Sequence, residues 1–136
     1  MHSCRTEDIL PPLFFPEQYM SDVQLADDYF TNAFQKEKEC LMSFDCDKLL
    51  SCFRKTKGLT LKAENYTGWE NTEIRGHTTG HYLTALAQAY ATTKDSTVYT
   101  RMQYMLDELS LCQFESGYLS AFPEEFFDRV ENCKPV

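Results

Sequence analysis

The sequence predicts an all-α chain in which helical hairpins are laid around a common axis. Three observations carry this reading. Apolar residues recur at helical spacing from Asp27 to Phe44 and again from Thr97 to Gln113. Between them, Thr78 to Thr92 is nearly all apolar or small, which marks a helix surrounded by others rather than one lying on a surface. The alternation of such an enclosed helix with half-exposed ones is the pattern of stacked hairpins, about three of them in this chain. The 136 residues fit one domain, and 43% apolar with 14% aromatic residues is enough to build a core.

Taken in order, the prolines of "PPLFFPEQ" make residues 1–22 an extended arm, with "SDVQL" as a short strand or a lead-in to a helix. In the first amphipathic helix Phe30, Ala33, Phe34, Leu41 and Phe44 form the apolar positions, with Lys36, Lys38 and Glu39 elsewhere. "DKLLSCFRK" predicts a short helical turn ending near Gly58. Residues 59–75 show little periodicity and read as a loop of about seventeen residues, long enough to suspect a function. The enclosed helix follows as an inner element. The next helix is an outer one, with Val98, Met102, Met105, Leu109 and Cys112 in one stripe and Arg101, Asp107 and Glu108 off it. After a turn at Gly117, Pro123 is suited to open a last helix, "PEEFFDRVE".

Charge and cysteine usage exclude whole classes of partner. Thirteen basic against twenty-one acidic residues leave a formal charge of -8, which repels phosphate backbones and anionic membranes. Neither nucleic acid nor membrane is therefore an expected partner. The opening "MHSCRTEDILPPLFFPEQ" lacks the layout of a secretory signal, and no stretch reaches the roughly 18 apolar residues of a membrane span, so a cytoplasmic chain is expected. In that compartment the sequon "NYT" at 65–67 has no role, and Cys4, Cys40, Cys46, Cys52, Cys112 and Cys133 are free thiols without zinc-ribbon spacing.

The chemistry concentrates in "GHTTGHYLTAL". At about 100° per residue, His77, His81, Thr84 and Gln88 fall within roughly 60° of one another, while Tyr82, Leu83, Leu86 and Tyr90 take the opposite side. Such a polar seam must meet water, a ligand or other polar groups, because burying it unsatisfied costs a few kcal/mol per group. If the opposite face packs outward, the seam lines a wet central cavity. Three roles compete for the two histidines. A zinc site is allowed by spacing, although HTTGH lacks the glutamate of HExxH. His77 could instead cap the helix start. Recognition of a polyol is the third, since imidazole both donates and accepts, and Trp69 and the nearby tyrosines offer flat apolar faces for sugar C–H groups.

"DKLLSCFRKTKGL", "YTGWE", "GHTTGHYLTALAQAYATT" and "GYLSAF" follow one another in the order and spacing of the bacterial beta-L-arabinofuranosidase family of glycoside hydrolases, which this sequence resembles from about Val23 to Phe122. The resemblance implies an (α/α)6 toroid of paired inner and outer helices, of which residues 23–136 would be the N-terminal part, truncated at the C-terminus. It implies a carbohydrate substrate, an arabinofuranoside or related glycan, and the remainder of the catalytic domain as structural partner. The family's cysteine nucleophile, its zinc and its glutamate acid/base come from later segments. No catalytic residue and no metal ligand is therefore assigned here, and the chain alone is expected to be inactive. What carries over is the early wall of the sugar pocket: His81, His77, Trp69 and Glu70. The acidic group Glu124, Glu125, Asp128 and Glu131 reads as a solvated helix start rather than a glycosidase pair. The alternative to a hydrolase fragment is a non-catalytic helical binding or scaffold domain derived from the same fold.

Overall fold

The computed structural model describes residues 22–134. Within them lie α1 (Asp28–Ser43), α2 (Cys46–Lys57), a 3-10 turn (Gly68–Asn71), α3 (His77–Thr93), α4 (Ser96–Cys112) and α5 (Glu125–Glu131). The expected arm lies almost wholly outside the described residues; its last part, Asp22 to Leu25, is not a strand. None of the described helices is long and apolar enough to cross a membrane.

Three of the helices start on an aspartate, for one physical reason. The carboxylates of Asp27, Asp45 and Asp95 accept backbone N–H groups of the first turn: Phe30 at 2.9 Å, Asp47 at 2.9 Å and Thr97 at 2.8 Å respectively. Each satisfies a donor that the helix cannot pair internally, a contribution of about 1 kcal/mol. Asp95 also accepts from the Thr97 hydroxyl and the Lys38 ammonium, and these hydrogen bonds hold its carboxyl far below the usual carboxylate range. Gly58 ends α2 in the left-handed conformation that glycine adopts without a Cβ penalty.

The core is shared by α2, α3 and α4. Leu49 and Leu50 from α2, Tyr82, Leu86 and Ala89 from α3, and Val98, Met105 and Leu109 from α4 are all buried in one cluster. Helices two apart in sequence lie side by side, α1 on α3 and α2 on α4, while α3 and α4 also pack on each other as a hairpin. That alternation is what a toroid of inner and outer helices requires. The architecture is an all-α, incomplete toroid. Among the described residues it comprises two helix pairs and a fifth helix, with no strand.

Several expectations need correcting. The segment beginning "DKLL" is a full helix of 12 residues, not a turn, because Asp45 caps it and Leu49, Leu50 and Cys52 bury its inner face. Phe30 and Ala33 are exposed, for α1 packs on the core from Phe34 onward, through Phe34, Leu41 and Met42. There the Tyr82 hydroxyl donates to the Leu41 carbonyl at 2.8 Å and Arg101 donates to the Phe44 carbonyl at 2.7 Å, tying the end of α1 to α3 and α4. Glu108, expected on the solvent side, is buried: its carboxylate meets Arg54 at 2.6 Å and Lys62 at 2.8 Å. Pro123 does not open α5, which begins two residues later, with Glu124 as its cap.

Candidate functional site

α3 differs from the other long helices in how it begins. Its cap is Gly76, at φ 96°, which has no side chain to offer the orphan amides. The acceptor comes from outside the helix. Glu70, in the 3-10 turn, is 5% exposed, and its carboxylate accepts the Gly76 N–H at 3.1 Å and the Thr78 N–H at 3.3 Å. A buried carboxylate placed this way answers both the unpaired donors and the positive end of the helix dipole. Capping, one of the roles open to His77, is thus performed by Glu70.

The turn is itself held from behind. The Asn65 amide donates to the Glu70 carbonyl, and the Cys52 thiol approaches the same oxygen at 3.6 Å. Arg75 donates from Nε to the Ala121 carbonyl and from Nη1 to the Thr72 carbonyl, each at 3.0 Å. Ala121 and Phe53 close over Gly76: a Cβ there would collide with the Ala121 side chain and press on the Phe53 ring at 3.1 Å. Inside the helix, Thr79 is buried and its hydroxyl donates to the Leu49 carbonyl at 3.0 Å. Segments far apart in sequence, 51–53, 65–70, 75–79 and 120–122, therefore meet at one point. Nothing in their spacing announces that Cys52, Asn65, Arg75 and Ala121 belong to this site. The clues were the two glycines, Gly68 and Gly76, bracketing the turn and the helix start.

In front of this scaffold the predicted recognition residues are open. Trp69 is 76% exposed, and its ring stands edge to face with the His77 imidazole, centroids 6.5 Å apart. His77, His81, Thr84 and Gln88 are all exposed along α3, while Tyr82 and Leu86 on the other side are buried. The Thr84 hydroxyl donates back to the Gly80 carbonyl at 3.0 Å and keeps its acceptor lone pairs outward. Glu70 is the one predicted site residue turned into the protein. Sequence reasoning left open whether it would touch a ligand or fix the loop; its hydrogen bonds are those of a loop-fixing group.

A model of the family described as beta-L-arabinofuranosidase, GH127 catalytic domain, matches residues 22–136. The chain belongs to this family. No curated protein matches it. Membership in the GH127 catalytic-domain family makes this a chain of a glycoside hydrolase family, for which a carbohydrate is the implied substrate. The helical fold described above agrees with it.

The zinc that the resemblance implies does not fit the donors described here. No group of three or more His, Cys, Asp or Glu side chains among the described residues could hold a metal ion, and the His77 and His81 pair lacks a third donor. Nor are Cys46, Cys52 and Cys112 placed as activated thiolates. Burial pushes the thiols of Cys46, Cys52 and Cys112 above their ordinary range, so they stay protonated. Glu124, Glu125, Asp128 and Glu131 are exposed on and beside α5. A cleft of about 730 Å³ beside the α1 to α2 junction, lined by Met42, Phe44 and Arg101 among others, shares no residue with the seam. Of its polar groups, Arg101 is engaged with the Phe44 carbonyl and Asp47 with the Tyr104 hydroxyl.

The five described cysteines are free, two of them exposed. In the native chain Cys40 and Cys133 should react with a thiol reagent at once, whereas Cys52 and Cys112 should react only after denaturation. Timed thiol titration with and without urea checks this; early modification of Cys52 or Cys112, located by peptide mass, would contradict it.

Proposed function

We propose that the Trp69 ring and the polar seam of α3 form one wall of a sugar pocket in a glycoside hydrolase acting on arabinofuranosides or related glycans. The observation that carries the reading is the joint exposure of Trp69, His77 and His81, above a turn whose Glu70 carboxylate is bonded inward to the start of α3. The division of labour follows from the chemistry of each group. The indole offers a flat apolar surface to sugar C–H groups. An imidazole can both donate and accept, matching a hydroxyl, which needs both. Glu70 serves the same wall from beneath it. These residues bind and orient. Cleavage of a glycosidic bond also needs an acid and a nucleophile or base flanking that bond, and in this reading those groups come from other segments of the catalytic domain.

Of the two histidines, His81 stands one turn into the helix, clear of the unpaired first amides, and is the stronger hydroxyl partner. Replacing it by alanine should weaken binding of methyl beta-L-arabinofuranoside by about 1 to 3 kcal/mol, the usual cost of a lost hydrogen bond with its partner left unpaired. NMR titration of the chain with that glycoside measures the loss. In a longer relative carrying zinc, the same substitution should leave metal stoichiometry unchanged. Stoichiometric loss of zinc with the fold intact would make His81 a ligand instead.

A further inference from the structure

The geometry points to Glu70 as a positioning residue for this wall, one that sets where His77 stands against Trp69 without itself touching the sugar. The inference rests on the pocket reading above and adds to it the device that holds the pocket in shape. Glu70 is joined to the site in two ways. Through the chain it is the neighbour of Trp69. Through its carboxylate it holds the N–H groups on either side of His77, those of Gly76 and Thr78, at 3.1 and 3.3 Å. The side chains of Trp69 and His77 thus project from two segments that one carboxylate fastens together.

Three features show that the fastening is specific to this helix. The other three long helices take their caps from the residue immediately before them, Asp27, Asp45 and Asp95, and would keep them wherever the preceding loop went. α3 instead has a glycine in that place, with no side-chain cap, so the Glu70 carboxylate is the acceptor that serves its first amides. Glu70 is also almost fully buried while Trp69, next to it, is largely exposed. Finally, the Glu70 main chain is anchored to the body of the protein by Asn65 and Cys52, so the carboxylate pulls against a fixed point rather than a loose loop. Five residues lie between Glu70 and Gly76, enough slack for Trp69 and His77 to drift apart if the carboxylate let go.

The test uses the whole chain, in which Trp69 is the single tryptophan. Amide hydrogen exchange is followed at Gly76 and Thr78, the ring-to-ring NOE is followed between Trp69 and His77, and binding of methyl beta-L-arabinofuranoside is titrated. In Glu70→Ala both amides should exchange at least about tenfold faster, the NOE should vanish, and sugar affinity should fall by about tenfold. Glu70→Gln keeps the shape and one acceptor, so it secures a folded variant and should expose one amide while weakening the NOE. Val98→Ala, a core change on α4, lowers stability generally and should leave the NOE intact. If Glu70→Ala and Glu70→Gln keep wild-type exchange and the NOE, the positioning role is wrong. If they lose sugar affinity with that geometry unchanged, Glu70 contacts sugar directly, which also overturns it. If the variants change as described but the unaltered chain binds no glycoside, the positioning role stands and the pocket reading falls.

Discussion

Glu108→Ala is expected to destabilise the chain by about 3 to 5 kcal/mol, the cost of removing one partner from a buried ion pair. Both side chains of the Arg54 and Glu108 pair are 11% exposed, and the guanidinium reaches the carboxylate at 2.6 Å. Arg54 also donates from Nε to the Thr60 carbonyl at 2.8 Å, so it links α2, α4 and the start of the long loop. Without Glu108 the guanidinium would be left buried with one neutral acceptor and no counter-charge. Arg54→Met should cost less, since Glu108 would keep Lys62 at 2.8 Å on a side open to water. The double variant Arg54→Met with Glu108→Leu should recover much of the loss, because two apolar groups of similar volume leave no charge to desolvate. Urea unfolding of the three variants measures these losses. A Glu108→Ala chain within about 1 kcal/mol of the original would show that water reaches the pair and screens it.

Gly76→Ala should be nearly as damaging, about 3 kcal/mol, for two reasons that add. At φ 96° the backbone lies where an L side chain is strained by about 1 to 2 kcal/mol. The new methyl would also be driven into the Ala121 side chain and to 3.1 Å from the Phe53 ring, an overpacking cost of about 1 to 3 kcal/mol. Gly58→Ala separates the two contributions. Gly58 has φ 78° but nothing within 4 Å of a Cβ, so it should show the backbone cost alone, about 1 kcal/mol. Equal losses for the two variants, by urea midpoint at constant slope, would remove the packing argument. A larger loss at Gly76 would place the contact between the 120–122 segment and the start of α3 among the strongest constraints on this site.

Helix identity was legible because it depends on short-range periodicity. α1, α3 and α4 lie within about a residue of where the apolar spacing puts them, and the buried stripe on α4 is the predicted one, with Met102 half-buried and the rest covered. The polar seam of α3 was legible for the same reason, since it needs only the angular step of a helix. α2 was underestimated because much of its support is a capping aspartate and a left-handed glycine at its ends, local chemistry that an apolar count passes over.

By itself, then, the amino-acid order determined an all-α chain, which side of α3 is polar, and four motif blocks whose order resembles one glycoside hydrolase family, to which the chain belongs. The tertiary structure alone decided that these blocks meet: that Phe53 and Ala121 close over Gly76, that Glu70 turns inward to cap α3 while Trp69 turns outward beside His77, and that Glu108 is paired and buried. The physical reason is range. A helix face follows from neighbours three and four places along the chain, whereas the partner of a buried carboxylate is chosen by packing between segments up to 54 residues apart, and no local pattern records that choice.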